Sequence, residues 1–319
     1  MYGRDEEKGE VGVEKGLHQG WVVVLGYAQD GGVPQLGCRC PRCQQAHLSG
    51  RIHTASLAII SKHGDDVHSL VIDTGPDFRT QYEETLDLLA RQPGSLAEAL
   101  QQRRKGPNPV DAVLLTHLHM GHFTGLLELG LEVVNGRDIP LYCTAPVAQF
   151  LAENAPWSQL LERNNVLPHV IRPGEVFAPA PGLTAEAYPV PHRNEYGDTV
   201  GFRIALRGGK SLLYIPDADS WDEMEPPLVQ LVNEADYALL DGTFFSAHEL
   251  GGREQSQVPH PPVKETANLL ASRASHVFFT HLNHTNPLLD TTSHQRQWLE
   301  AQGFSVLFAR QVLDLNPIR

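Results

Sequence analysis

The sequence has no long hydrophobic run. None of its apolar stretches approaches the roughly 20 residues that a helix needs to cross a bilayer. The first twenty residues, MYGRDEEKGEVGVEKGLHQG, are charged and glycine-rich, and they lack the apolar centre of a secretory signal. We therefore expect a cytoplasmic protein with no membrane contact, in which residues 1–19 form a mobile segment ahead of a single domain at residues 20–319.

Basic residues are also few in relation to acidic ones. The chain has 25 Lys and Arg against 38 Asp and Glu, which gives a formal net charge of -13. A nucleic-acid-binding surface depends on clustered lysine and arginine, so this balance argues against a nucleic-acid partner. The sequence gives no indication of the oligomeric state.

Cysteine is scarce, and its placement does not suit a disulfide framework. Three of the four cysteines, Cys38, Cys40 and Cys43, lie together in the segment GCRCPRC. Thiolates at this spacing bind zinc, but three of them leave a tetrahedral site one ligand short. We choose His284, in THLNHTNP, as the fourth ligand of a structural zinc site. The alternative is a set of free thiols.

The rest of the chain alternates short apolar runs with helical patterns. Runs such as WVVVLG, SLVIDTG, DAVLLTH and HVFFTH predict buried strands, and FRTQYEETLDLLARQ and PVKETANLLASRA predict helices. FTGLLELGLEVV also predicts a helix, and FSVLFA predicts a last strand. Strands with helices between them indicate a layered α/β domain with its sheet buried inside.

The segment LLTHLHMGHFTGL places three histidines within six residues, directly after an apolar strand. His117 and His119 are two residues apart, so in extended backbone they point the same way and can bind one metal. His122 begins the next helix and can reach a second ion. Neutral imidazole is a common ligand for zinc and also suits iron.

Other strands also end in groups that can bind metal. Asp73, His192, Asp217 and His281 each follow a predicted strand. Loops at one edge of such a sheet bring distant residues into one crevice, so we expect these side chains to meet the histidine segment. Since the chain has 16 histidines, the alternative is that several are ordinary surface or core residues.

The motif THLHMGH, followed by His192, Asp217 and His281 in that order, resembles the metallo-β-lactamase superfamily. The resemblance spans roughly residues 20 to 315, and it implies an αββα sandwich with a metal site at one edge. It also implies that His117, His119 and His192 hold a first metal. A second metal would then contact His122 and His281, with Asp217 shared by both ions.

Gly121 departs from this superfamily pattern. Members that bind two metals usually carry aspartate there, as a ligand of the second ion. Glycine removes that carboxylate, so we expect either weaker binding of the second ion or a site with one ion. A site with histidines, one carboxylate and open positions is also similar to the ligand set of non-haem iron oxygenases.

Two branches of the superfamily share further segments with this chain. QDGGVPQLGCRCPRC, DGTFF and THLNHTNPLL look like those of the PQQ-synthesis B branch. The cysteine segment also resembles the phosphonate-pathway phosphodiesterase branch. There a histidine three residues after the last active-site histidine completes the zinc site, as His284 follows His281 here.

We interpret the protein as a metal-dependent hydrolase in which a metal-bound hydroxide attacks a small-molecule or peptide-derived substrate. Asp217 and His122 are the candidate catalytic residues, and the active site would hold one or two ions of Zn, Mn or Fe. One alternative is an iron-dependent hydroxylase that acts on a tyrosine-containing precursor, as the PQQ branch implies. The other is a carrier of a pathway intermediate without catalytic activity.

Several further residues are candidates for supporting roles. Asp73 and Asp241 are expected to hold imidazole N–H groups in place, although both also suit ordinary turns. Two loops offer substrate contacts, and the second has the length and composition of a lid. The candidates in these loops are Arg193, Glu195, Tyr196, His248, Arg253 and His260.

Overall fold

Two stacked β-sheets with helices on their outer faces form the body of the protein. The computed structural model describes residues 18–103, 108–250 and 258–317. The predicted mobile segment falls mostly on residues 1–17, which lie outside the described residues. The first strand begins at Gln19, one residue before the predicted start of the domain.

The first sheet has seven strands in the order β14-β1-β2-β3-β4-β5-β6. Neighbours from β14 to β3 are antiparallel, and neighbours from β3 to β6 are parallel. The strands are β1 (Gln19–Gly26), β2 (Ser56–His63), β3 (Asp66–Ile72), β4 (Ala112–Leu114), β5 (Ile139–Cys143), β6 (Val166–Val170) and β14 (Val312–Asp314).

The second sheet repeats this mixed arrangement in the order β13-β12-β11-β10-β9-β8-β7. Neighbours from β13 to β10 are parallel, and neighbours from β10 to β7 are antiparallel. The strands are β7 (Val176–Ala180), β8 (Leu183–Pro189), β9 (Val200–Leu206), β10 (Ser211–Ile215), β11 (Tyr237–Asp241), β12 (Val277–Thr280) and β13 (Ser305–Val306).

The helices lie between the strands along the chain. The α-helices are α1 (Pro41–Ser49), α2 (Phe78–Ala90), α3 (Ser95–Gln102), α4 (Met120–Phe123), α5 (Ala145–Glu153), α6 (Trp157–Glu162), α7 (Leu228–Asn233), α8 (Val263–Leu269) and α9 (His294–Ala301). Short 3₁₀ helices cover Thr124–Leu129, Ala247–Leu250, Ala271–His276 and Pro287–Leu289. No helix in the described part of the chain is both long and apolar enough to cross a bilayer.

The hydrophobic core has one layer between the sheets and one under each set of helices. The middle layer joins Ile59 and Leu114 of the first sheet to Phe202 and Tyr214 of the second. The central strands are therefore covered on both faces, which explains their continuous apolar runs. This arrangement confirms the predicted α/β fold and its αββα sandwich.

Two sequence predictions of local structure are wrong. Residues 123–134 were expected to form one helix, but α4 ends at Phe123 and a 3₁₀ helix follows from Thr124, with Gly125 packed closely beneath the loop after β3. A Cβ at Gly125 would lie 2.7 Å from the Cβ of Phe78. The last predicted strand, residues 304–309, is shortened to β13, and the chain then leaves the second sheet and enters the first as β14, which was not predicted.

Candidate metal centre

The strand ends of both sheets deliver polar side chains to one edge of the sandwich. Asp73 and His117 come after the parallel strands β3 and β4, and Asp217, Asp241 and His281 come at or after the ends of β10, β11 and β12. Asp73 and His281 have positive φ angles of 63° and 59°, which non-glycine residues seldom adopt. Such strain is typical of functional sites.

Four of the predicted site residues form a first cluster. Nε2 of His192 lies 2.9 Å from Nδ1 of His119 and 3.1 Å from Oδ2 of Asp217. The same Asp217 oxygen lies 3.4 Å from Nε2 of His117 and 3.8 Å from Nδ1 of His119. His117, His192 and Asp217 are buried.

The other two predicted residues form a second cluster beside the first. Nε2 of His122 lies 3.3 Å from Nε2 of His281, which is 3.7 Å from Oδ2 of Asp217. Asp30, which the sequence analysis missed, also joins this cluster. Its Oδ1 lies 3.3 Å from Nε2 of His122 and 3.6 Å from Nε2 of His281.

These spacings and donor atoms fit metal ions. A tetrahedral zinc ion with bonds of about 2.1 Å holds its ligand atoms about 3.4 Å apart. The observed separations, 2.9 to 3.8 Å, bracket that value. Nε2 of His117 and Oδ1 of Asp30 are buried and make no hydrogen bond among the described residues. Buried polar atoms without partners are costly, so a bound cation would satisfy them.

Each imidazole in the two clusters is held through its second nitrogen. Asp73 is central to this support, since its Oδ1 accepts the backbone N–H of Thr116 at 2.8 Å and its Oδ2 lies 2.8 Å from Nδ1 of His122. The Thr116 hydroxyl in turn lies 2.9 Å from Nδ1 of His117. Contacts of this kind fix the orientation and tautomer of metal ligands.

Three further residues hold the remaining ligands. Asp219 lies 2.6 Å from Nδ1 of His192, and Glu195 lies 3.1 Å from Nε2 of His119. The Thr243 hydroxyl lies 2.9 Å from Nδ1 of His281. Glu195 was predicted only as a substrate contact, and Asp219 was not predicted.

Asp241 holds the ring of His260. Its Oδ2 lies 2.8 Å from Nδ1 of His260, which is 3.4 Å from Oδ1 of Asp217. Asp241 also accepts the backbone N–H groups of Ala218 and Thr243. His260 is buried beside the first cluster. The sequence analysis had predicted it only as a loop residue that contacts substrate.

The charges in the cluster shift several pKa values. Burial opposes a charge on His122, but Asp73 and Asp30 raise its pKa to about 10. Burial likewise opposes a charge on His192, and Asp217 with Asp219 raises its pKa to about 9. Cations and protons therefore compete for these imidazoles.

The cysteine segment forms a separate cluster. Nδ1 of His284 lies 3.6 Å from Sγ of Cys38, 3.7 Å from Sγ of Cys40 and 3.5 Å from Sγ of Cys43. A tetrahedral zinc ion with Zn–S bonds of about 2.3 Å and Zn–N bonds of about 2.1 Å would separate sulfur and nitrogen by about 3.6 Å. The structure thus brings together the four residues predicted to hold a structural zinc ion.

Comparison with known proteins identifies the fold family. A family model described as a beta-lactamase superfamily domain matches residues 68–282, more than half of the chain. The chain belongs to the metallo-β-lactamase superfamily. This confirms the resemblance seen in the histidine motif.

The superfamily members most similar to this chain include proteins of coenzyme PQQ synthesis. "Coenzyme PQQ synthesis protein B" of Methylorubrum extorquens AM1 is 29% identical over 92% of this chain and 99% of its own. The crystal structure of Zn²⁺-bound PqqB from Methylobacterium extorquens has a TM-score of 0.75 and 28% identity, covering 92% of this chain and 100% of its own. A diphosphatase of the PhnP family shares the fold. Its crystal structure has a TM-score of 0.63 and 20% identity, covering 93% of this chain and 98% of its own.

Within this metallo-β-lactamase domain, a cavity of about 510 Å³ opens beside the second cluster. Asp30 lines it, together with Arg39 and Arg51. Of the other predicted loop residues, Tyr196 is exposed and packs against Phe150. His248 lies in the 3₁₀ helix Ala247–Leu250, and Arg253 lies outside the described residues.

Proposed function

We propose that the protein is a metal-dependent hydrolase. The observation that carries the proposal is the convergence of His117, His119, His192 and Asp217 on one point, with a second group of ligand atoms beside them. Adjacent metal sites that share a carboxylate are typical of hydrolases that use two ions. The facial triad of iron oxygenases needs only two histidines and one carboxylate, and this centre offers more ligands.

Zinc or manganese bound here would act as a Lewis acid and would lower the pKa of water from about 15.7 to about 7. His117, His119 and His192 would hold the first ion. Asp217 would orient the water molecule and accept its proton, because its carboxylate is buried between the two clusters. His122 would contribute by holding the second ion.

His260 extends this role of Asp217. Its ring lies between the carboxylates of Asp217 and Asp241, and these two charges raise its pKa against the effect of burial. A protonated imidazole in this position can donate a proton to a leaving group. We assign His260 as the proton donor that completes the hydrolytic step.

The cavity indicates the substrate class. Arg39 and Arg51 line it together with the carboxylates of Asp30 and Asp77, and the two guanidinium groups suit a substrate with a phosphate or carboxylate group. A small molecule or a short peptide-derived compound matches the cavity size.

A second candidate function follows from the similarity to PQQ synthesis protein B along almost the whole chain. In this alternative the protein acts in the biosynthesis of a PQQ-type cofactor, and the histidines hold Fe(II) for hydroxylation of a tyrosine-containing precursor. A carrier role in the same pathway is the third alternative.

The decisive experiment combines elemental analysis with two assays. Protein purified without added metal would be analysed for zinc, manganese and iron, and then tested with bis(p-nitrophenyl) phosphate and with a Glu- and Tyr-containing peptide under oxygen. We expect zinc or manganese and release of p-nitrophenol. Iron together with peptide-dependent oxygen consumption would favour the hydroxylase instead.

Variants separate both enzymes from a carrier. His117→Ala and His192→Ala should abolish turnover, whereas His294→Ala, at an exposed position on α9, should leave it unchanged. Full cellular function in the two ligand variants would contradict both enzymatic proposals.

A further inference from the structure

The histidine motif of this chain lacks a carboxylate at Gly121, and the structure places another one in the same space. We propose that Asp30 is a metal ligand that replaces this carboxylate from a different loop, so that His122, His281 and Asp30 hold a second ion. The inference rests on the proposed function only in that both require metal at this edge of the fold. It corrects the expectation that Gly121 leaves the second position weak or empty.

The three ligand atoms form a compact triangle. Oδ1 of Asp30 lies 3.3 Å from Nε2 of His122 and 3.6 Å from Nε2 of His281, and the two nitrogens are 3.3 Å apart. These separations match those around a tetrahedral ion, about 3.4 Å. Asp217 lies 3.7 Å from His281 and is available to bridge to the first cluster.

The contacts on the far side of each ring direct lone pairs into this triangle. Asp73 lies against Nδ1 of His122, and the Thr243 hydroxyl lies against Nδ1 of His281. With the ring protons on Nδ1, both Nε2 atoms present lone pairs to each other and to the carboxylate of Asp30. Such a set of acceptors repels itself unless a cation or a proton lies among them.

Asp30 leaves no room for an aspartate side chain at position 121. A Cβ at position 121 would lie 2.7 Å from the Cα of Asp30 and 2.8 Å from its Cγ, and it would meet Oδ1 more closely still. An aspartate at 121 therefore cannot coexist with Asp30 in this conformation. Position 121 must be glycine because Asp30 occupies the space beside it.

The backbone fixes Asp30 against the second cluster. The N–H of Gln29 donates to the carbonyl of Leu282 at 3.0 Å, and the N–H of Leu282 donates to the carbonyl of Tyr27 at 2.9 Å. These bonds tie the segment before Asp30 to the residue after His281. A ligand held on such a rigid segment is pre-organised for binding.

The test counts metal ions in the apo-protein reconstituted with Zn²⁺. We expect three equivalents per chain in the native protein, one at the thiolates and two at the histidine clusters. Asp30→Asn should lose one equivalent, or bind it at least about 100-fold more weakly. The loss of a ligand lowers metal affinity at least as much as the loss of a residue that only holds a ligand in place. Equilibrium dialysis with elemental analysis and calorimetric titration give both numbers without an activity assay.

A second variant tests the same contact from the side of Gly121. Gly121→Ala should also lose one equivalent, because its Cβ would lie 2.7 Å from the Cα of Asp30 and would displace the carboxylate. Asp77→Asn is the matched control, since Asp77 lines the same cavity but pairs with His53 at 3.1 Å, and it should keep all three ions.

The outcomes distinguish this inference from the proposed function. Two equivalents in the native protein, unchanged in Asp30→Asn, would overturn the role of Asp30 and leave a hydrolase with one active-site ion. Three equivalents retained in a folded Asp30→Asn protein would overturn it as well. A single equivalent, at the thiolates alone, would remove the metal centre and with it the proposed function.

Discussion

At the scale of single residues, the candidate centre depends on the oxygen atoms that face the far nitrogen of each imidazole. Asp73 illustrates this, because one buried carboxylate contacts His122 directly and His117 through Thr116. Its positive φ turns the chain directly after β3, so that the side chain reaches the ring of His122 and the hydroxyl of Thr116. The left-handed conformation at this residue thereby has a function in positioning the ligands.

Asp73→Asn tests this supporting role. The amide can still accept from Thr116, but it no longer offers a negative charge to His122. We expect zinc affinity at the histidine clusters to fall by about 10–100-fold with the fold retained. Competition with a chromophoric chelator measures the affinity, and Asp111→Asn, whose carboxylate accepts from Ser69 outside the centre, serves as control. Equal affinity in the Asp73 and Asp111 variants would show that this contact does not support the metal site.

The sequence predicted the candidate ligands that lie in local motifs or at strand ends. His117, His119 and His122 share one segment, and Asp217 and His281 follow apolar runs, so periodicity was enough to find them. Asp30 gave no such signal, because QDGG has the composition of an ordinary turn. Its relation to Gly121 depends on how two remote loops meet, and a sequence pattern does not contain that information.

Glu249 is expected to give the folding stability a pH dependence. Burial raises the pKa of this carboxyl to about 7, although the N–H groups of Phe245 and Ser246 donate to it. The folded protein therefore binds a proton more tightly than the unfolded chain, with its ordinary pKa of about 4.5. The resulting stability is complete below about pH 4.5 and is lost as the pH rises through about 7.

We expect Glu249→Gln to remove this dependence. Between pH 5.5 and 8 the native protein should lose on the order of 1–2 kcal/mol of unfolding free energy relative to the variant. Urea denaturation of both proteins at a fixed zinc concentration measures the difference. Parallel pH profiles for the two proteins would show that Glu249 titrates normally in the folded state.

At the scale of elements, the thiolate cluster joins two segments that are far apart in sequence. Cys40 precedes α1 and Cys43 lies in its first turn, whereas His284 lies in the loop after β12. Gly37 and Arg39, the neighbours of Cys38, line the cavity, so the cluster also holds part of the cavity wall. A structural ion here would stabilise α1, which has few apolar residues of its own to bury.

His284→Ala should therefore loosen α1 before the rest of the fold. We expect amide hydrogen exchange in Pro41–Ser49 to accelerate by about tenfold or more, while β2 and β3 keep their protection. Exchange measured by mass spectrometry, with and without Zn²⁺, gives the comparison. His276→Ala is the control, because its ring contacts only the backbone carbonyl of Asp236 among the described residues. Unchanged protection of α1 in His284→Ala would argue against a bound ion at the thiolates.

The elements that sequence patterns missed are those whose form depends on partners elsewhere. β14 has only three residues and pairs with β1 at the opposite end of the chain. α1 begins after a cysteine that caps it through its side chain, and its sequence reads as a loop. The long central strands were found because burial on both faces makes their runs continuously apolar.

At the scale of the whole molecule, the two halves of the chain contribute one sheet each, apart from β14, and the candidate centre lies where their edges meet. The middle layer of the core contains side chains from both sheets, with Phe202 fully buried in it. Neither sheet can therefore keep its inner face covered alone. The single domain predicted at residues 20–319 stays a prediction that unfolding can test.

We accordingly expect both halves to unfold in one transition. Trp21 packs under the helices of the first sheet and Trp221 under those of the second. Two variants, each keeping one of these residues as its only tryptophan, therefore report on the two halves separately. At a fixed zinc concentration their urea denaturation curves should coincide. Phe202→Ala should shift both curves by the same amount, about 3–5 kcal/mol, because its cavity lies between the sheets. Separate midpoints for Trp21 and Trp221, or a shift in only one of them, would mean that the sheets fold independently and that the metal ligands are brought together after each half has formed.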